Sequence, residues 1–210
     1  MAKYLGPKCR KYRRLGMKPE TRSDVVSSVN RVLTKRNYPP GMHGPKGAQR
    51  LTDYGLHLQE KQKMKLMYNI MERQLRKYFA EANSSKQDTG LKLIELLERR
   101  LDNVVYRIGL AATRSQARQF VSHSLFMING KKMNIPSHRV KSGDVITIRK
   151  QKSLEKGYLS DSLKNIDKIE KPMWVNWDSK KNSGQILNLP EEKDLEVGID
   201  TRLVVEFYSK

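Results

Sequence analysis

The sequence predicts an α+β fold. A mostly helical N-terminal domain with an extended basic arm precedes two helices packed on a small, mainly antiparallel sheet. Three observations carry this. Apolar residues recur every three or four positions across residues 52–81 and again from Leu93 to Ile108. After Ser124 the helical period gives way to short apolar runs broken by Asn129–Gly130 and Ser142–Asp144. Positive charge is concentrated in the first two thirds of the chain.

Residues 1–50 form the basic arm. Prolines and glycines at both its ends disfavour one long helix, so a collection of turns is expected. Residues 51–90 form a helical region, with one long helix predicted over 52–81. Met64, Met67, Tyr68, Met71, Leu75, Tyr78 and Phe79 make its apolar stripe, while Lys61, Lys65, Asn69, Arg73 and Lys77 follow at steps of four on another face. Glu72 and Arg76 are an i, i+4 pair worth a few tenths of a kcal/mol at most. The polar stretch NSSKQDTG at 83–90 ends that helix.

Residues 91–150 form a compact module. Its first helix carries Leu93, Leu97, Leu101, Val104 and Ile108 on one side, and Gly109 can close it in a left-handed cap. Thr113 and Gln116 have the spacing of a reciprocal cap for a second helix, which carries Arg114 and Arg118 and buries Ala117, Phe120 and Val121. Asn129–Gly130 suits a two-residue hairpin turn, because both residues tolerate positive φ. Lys131 and Lys132 flank that turn, and VITIR follows as a third strand. Residues 151–210 form an extension in which KPMWVNWDS and LVVEFYS are predicted strands around a turn-rich stretch at Asn182–Gly184. Its end is expected to pack back on the N-terminal domain.

Composition narrows the function. Lys plus Arg number 42 against 22 Asp plus Glu, a net charge of +20. Residues 1–80 carry net +14, residues 81–150 carry +7 and residues 151–210 carry −1. Such a field favours nucleic acid or an anionic membrane surface. No apolar run is long enough to cross a bilayer and no signal-peptide pattern is present, so a cytoplasmic protein without a membrane partner is expected. The single Cys9 excludes an internal disulfide and fits a reducing compartment.

Catalytic chemistry finds no support. His43, His57, His123 and His138 lack ligand-like spacing, and Gly41, Gly44 and Gly47 lack the residues of a nucleotide loop. Glu191, Glu192, Asp194 and Glu196 read as a solvated acidic run rather than a catalytic pair. Arg114 and Arg118 lie one turn apart near a helix N-terminus, where backbone N–H groups also favour anions. Gln116 and Gln119 keep DNA open as a partner. The absence of a dimer seam and the 7% aromatic content favour folded RNA recognised by shape and phosphate geometry.

From end to end the chain resembles the bacterial-type small-subunit ribosomal protein four family. The matching stretches are YLGPK, PPGMHG at 39–44, LTDYGLHLQEKQK at 51–63 and ERQLRKYF at 72–79, then LLERRLDNVVYRIGLAATRSQARQFVSH at 96–123, MINGKKMNIPS at 127–137 and the closing LVVEFYSK. The module at about 94–150 resembles the RNA-binding fold named after this family, which RNA-modifying enzymes and tyrosyl-tRNA synthetases also carry. No catalytic domain remains to be placed, so an enzyme is not expected.

The resemblance implies a structural constituent of the small ribosomal subunit. Family members bind the five-prime domain of small-subunit ribosomal RNA and nucleate assembly of the subunit body. They lie beside ribosomal proteins three and five near the messenger entrance and, with protein five, influence decoding accuracy. Basic residues after the HG pair face the incoming mRNA; the matching positions are Lys46 and Arg50. Phosphate contacts are expected from Arg10, Lys11, Arg13 and Arg14 in the arm, from Lys61, Lys65, Arg73 and Lys77, and from Arg114, Arg118, Lys131 and Lys132. Some relatives bind zinc through four arm cysteines. Here the first pair would be Cys9 and Tyr12, and no further cysteine follows. A zinc-free arm is therefore expected. Two rival classes stay open at this level, an RNA-modifying enzyme and a stand-alone RNA chaperone or messenger repressor.

Overall fold

The structure is a computed structural model. It describes residues 4–18, 28–47, 50–149, 159, 162–163, 166, 169–179, 181–190 and 198–209. The acidic run at 191–196 lies outside the described residues. The chain divides into two compact units, Met1–Leu91 with Val197–Lys210, and Lys92–Glu196.

In the first unit, the arm is more ordered than a collection of turns. It holds helix α1 (Cys9–Leu15) and helix α2 (Ser28–Lys35). The helix-breaking residues lie outside both, and Gly16 closes α1 with φ 64°. Thr52 then caps helix α3 (Asp53–Met67), accepting from the Gly55 N–H.

The single helix predicted over 52–81 is two helices. α3 ends at Met67 and helix α4 runs Glu72–Asn83. Asn69 takes φ 51°, its N–H bonds the Leu66 carbonyl, and the Ile70 N–H bonds that of Lys65. This pair of bonds is a Schellman stop, with asparagine where glycine usually sits. Ile70 is buried beneath it, while Met71, assigned to the apolar stripe, is exposed.

The closing LVVEFYS is also corrected, from strand to helix α8 (Thr201–Ser209). Its β-branched and aromatic residues favour a strand locally. Tertiary packing overrides this, because Val204, Phe207 and Tyr208 share one helical face. Asp200 opens the helix by accepting from the Arg202 N–H at 2.9 Å. On α3 and α4, Tyr54 meets Phe207 at 5.7 Å between ring centroids and Phe79 meets Tyr208 at 4.8 Å.

Helix α5 (Thr89–Glu98) joins the two units in sequence. The second unit opens with a further correction. The apolar period from Leu93 to Ile108 does not form one helix, since α5 stops at Glu98 and helix α6 (Leu101–Ile108) begins anew. Arg100 is extended there and bridges Arg139, while the Leu101 N–H bonds the His138 carbonyl at 2.8 Å. Gly109 closes α6 at φ 97°. Thr113 caps helix α7 (Arg114–Ser122) by accepting from the Gln116 N–H. The Gln116 side chain reaches back one residue further than expected, to the Ala112 N–H.

Among the described residues the sheet has five antiparallel strands: β1 (Phe126–Ile128), β2 (Lys131–Met133), β3 (Val145–Ile148), β4 (Val175–Asp178) and β5 (Ser183–Ile186), in the order β2-β1-β3-β5-β4. Asn129 and Gly130 make the hairpin turn at φ 49° and 75°. β5 occupies part of the stretch assigned to turns. The turn itself is at Asn182, with φ 49°, and Gly184 in β5 lets the Trp177 ring lie against the backbone. Val104, Ile108, Val121, Phe126, Ile146 and Ile186 fill the core between sheet and helices.

Candidate nucleic-acid interface

Four arginines and two carboxylates converge where α5, α6 and α7 meet. Glu98, with no exposed surface, accepts from Arg107 Nη2 at 2.7 Å on one oxygen. On the other it accepts from Arg107 Nε at 2.8 Å and Asn103 Nδ2 at 2.6 Å. Asn103 Oδ1 in turn accepts from Arg114 Nε at 2.8 Å, and the Arg114 guanidinium lies 4.6 Å from the Tyr106 ring centre. Arg100 grips Asp102 through Nε and Nη2 at 3.0 and 2.7 Å, and Arg118 Nη1 stands 3.7 Å from the same carboxylate. All of these side chains are buried.

Arg114 and Arg118 therefore point inward, where the sequence suggested an open phosphate-facing row. Lys131 and Lys132 are exposed on β2, an edge of the sheet. Glu98, Arg100, Asp102, Asn103 and Arg107 form a network that the apolar period does not mark. The signal available was the run ERRLDN, in which charged residues interrupt an otherwise apolar helix face.

In the first unit, Lys61 and Lys65 are drawn to Glu72. Each ammonium lies 3.1 Å from one carboxylate oxygen, and Tyr208 donates its hydroxyl to Oε1 at 2.8 Å. Lys61 is buried and also lies over the Phe207 ring at 4.4 Å. Burial works to raise the Glu72 pKa, but the hydrogen bonds from Tyr208, Lys61 and Lys65 outweigh it and hold the carboxyl at about 2. Burial, then the adjacent carboxylate, pushes the Tyr208 phenol well above its ordinary value. The face predicted to carry Lys61, Lys65, Arg73 and Lys77 together is thus divided. Arg73 and Lys77 are exposed on α4 and enter no ion pair among the described residues.

The arm divides similarly. Arg13 turns inward and donates Nε to the carbonyls of Arg36 and Tyr38 at 3.1 and 3.0 Å, and Nη2 to that of Pro39 at 3.3 Å. Arg10, Lys11 and Arg14 are exposed. Lys11 lies over the Tyr4 ring, and partial burial followed by the nearby Lys65 charge lowers its pKa. Lys46 sits in a short 3₁₀ turn, Gly44–Lys46, and both Lys46 and Arg50 are exposed.

Two family models match in tandem: the ribosomal protein S4/S9 N-terminal domain over residues 3–98 and the S4 domain over 99–146. The small ribosomal subunit protein uS4 of Aquifex aeolicus is 47% identical, with all of both chains covered. The chain belongs to the uS4 family. The uS4 proteins of Laribacter hongkongensis and Parabacteroides distasonis are 47% and 44% identical, again over full lengths. As a uS4-family protein it is a ribosomal, rRNA-binding component of the small subunit and not an enzyme. The boundary between the two matched domains, at residues 98 and 99, falls at the helix break that separates α5 from α6. No described helix is long and apolar enough to cross a membrane.

Proposed function

We propose that this chain binds the five-prime domain of small-subunit rRNA as a primary binder and nucleates assembly of the subunit body in a cytoplasmic ribosome. It acts near the messenger entrance, beside ribosomal proteins three and five, and influences decoding accuracy with protein five. The resemblance of its motifs to the family supports this reading. The observation that carries it is the set Arg73, Lys77, Lys131 and Lys132, which are exposed and without an ion pair among the described residues. Arg10, Lys11 and Arg14 extend that set in the arm.

Lys61, Lys65, Arg13, Arg114 and Arg118 serve this function differently. Their charges are committed to carbonyls, carboxylates and rings, so they hold the frame that presents the exposed cations. Lys46 and Arg50 face mRNA. The arm works without zinc, since one cysteine cannot supply the ligand set and Arg13 already ties α1 to residues 36–39.

The test is rRNA binding against salt. With about eight phosphates neutralised, log affinity falls against log salt with a slope of roughly −5 to −7. Replacing Lys131 and Lys132 by Glu makes that slope shallower by about 0.7–0.9 for each phosphate left without its lysine, at unchanged thermal stability. A near-zero slope in the wild type sinks the proposal. Co-sedimentation with small subunits at high salt separates a stoichiometric component from a transient chaperone or repressor.

A further inference from the structure

Within the first unit, α1, α2, the segment 36–39 and α3 enclose a cavity of about 580 Å³. Pockets that hold small molecules span roughly 300–1,000 Å³. Its floor is apolar, with Leu15 and Leu33 buried at 9% and 8% exposure. The Tyr38 ring forms one wall, stiffened by the Arg13 guanidinium lying 4.8 Å from its centre. Arg14, Lys18 and Arg36 stand exposed at the rim, and none enters an ion pair among the described residues. Among the described residues, no acidic side chain lines the cavity.

We propose that this cavity receives a single unstacked RNA nucleotide, its base inside and its phosphodiester on the rim cations. An apolar floor beside an aromatic ring suits a flat heterocycle, which stacks whatever its identity. A rim that carries, among the described residues, cations and no carboxylate suits the phosphate attached to it. The Asn37 and Gln59 side chains add amides at the wall that can meet base edges. The source is RNA rather than a free polyphosphate nucleotide. The wall glycine, Gly16, sits at the C-terminus of α1, so this end of the helix offers carbonyls instead of the fan of N–H donors that cradles polyphosphates. The inference deepens the rRNA-binding role of the family and rests on it.

Short-wavelength ultraviolet crosslinking of the full chain to small-subunit rRNA, with peptide mapping, tests it. The expected crosslink joins one nucleotide to the peptide carrying Tyr38 or Tyr12. Thr34 lies exposed at the rim, so Thr34→Trp fills the mouth without entering the core. That variant loses the crosslink and binds rRNA roughly 5- to 150-fold more weakly, the range expected for one lost stacked base. Arg36→Gln, which removes only a rim charge, retains the fold by circular dichroism and lowers crosslink yield. Full rRNA affinity in Thr34→Trp, or wild-type crosslinks that all map outside the cavity, overturns the inference while leaving rRNA binding intact. Micromolar binding of AMP that does not compete with rRNA also overturns it, in favour of a free nucleotide. A wild type that binds no rRNA overturns the underlying reading together with this one.

Discussion

Tyr208 donates its hydroxyl to Glu72 across 2.8 Å, joining residues 136 positions apart in the chain. The bond seats α8 on α4. It also completes a carboxylate already approached by Lys61 and Lys65. The folded-state pKa of Glu72 is about 2, below its ordinary 4.5. The stability this contributes is therefore fully present above about pH 4.5 and lost as pH falls towards 2. Glu72→Gln should flatten the acid limb of the stability curve in that window, measured by urea unfolding at a series of pH values. Tyr208→Phe should cost about 1.5 kcal/mol at neutral pH. An acid limb unchanged in Glu72→Gln would show that the cluster does not set it.

Arg13 should act as a clip for the arm. Its three bonds to the carbonyls of Arg36, Tyr38 and Pro39 tie α1 to the segment that follows α2. Arg13→Gln should increase cleavage of residues 1–50 under limited proteolysis with chymotrypsin, while chelator treatment of the wild type should leave the pattern as it was. Chelator-dependent cleavage would contradict the metal-free arm.

The buried pair Glu98–Arg107 should matter far more than the surface pair Glu72–Arg76. Glu98 has no exposed surface, whereas the Arg76 side chain is 72% exposed and 3.8 Å from its partner. Removing one member of a buried pair is strongly destabilising, so Glu98→Gln should cost about 3–5 kcal/mol. Arg76→Gln should stay within about 0.5 kcal/mol. Comparable urea midpoints for the two variants would argue against the ranking.

Gly44 should tolerate no side chain. A Cβ placed there would lie 2.0 Å from the Pro39 carbonyl oxygen, a backbone atom with little room to move. Gly44→Ala should therefore lower stability by about 1–3 kcal/mol and disturb the turn carrying Lys46. A melting temperature equal to that of the wild type would show that the loop reshapes at no cost.

Local features were legible because their causes lie within a few residues. Thr113 and Gln116, Gly109, and Asn129–Gly130 each specify a cap or turn through their own backbone preferences. The end of α6, the start of α7 and the β1–β2 hairpin follow from them. The break at Asn69 was readable in principle, since asparagine tolerates the left-handed conformation, but the apolar period runs straight across it. The break at Arg100 was not, because its cause is pairing with Arg139 and the carbonyl of His138. The candidate site divided in the same way. Which residues are cationic was plain. Which of them turn inward was not, since Arg114 and Arg118 answer to Asn103 and Asp102 on another helix.

The sequence by itself determined the family, the α+β class, the charge, the end of α6, the start of α7 and the Asn129–Gly130 hairpin turn, all properties of composition or of contacts within a turn or two. Tertiary structure decided that LVVEFYS is a helix, that Lys61 belongs to Glu72, and that Arg73, Lys77, Lys131 and Lys132 remain outside. Those outcomes depend on partners brought together by folding. Lys61 and Lys65 meet Glu72, Arg13 meets three backbone carbonyls and Arg114 meets an amide oxygen, each an acceptor that folding brings within reach.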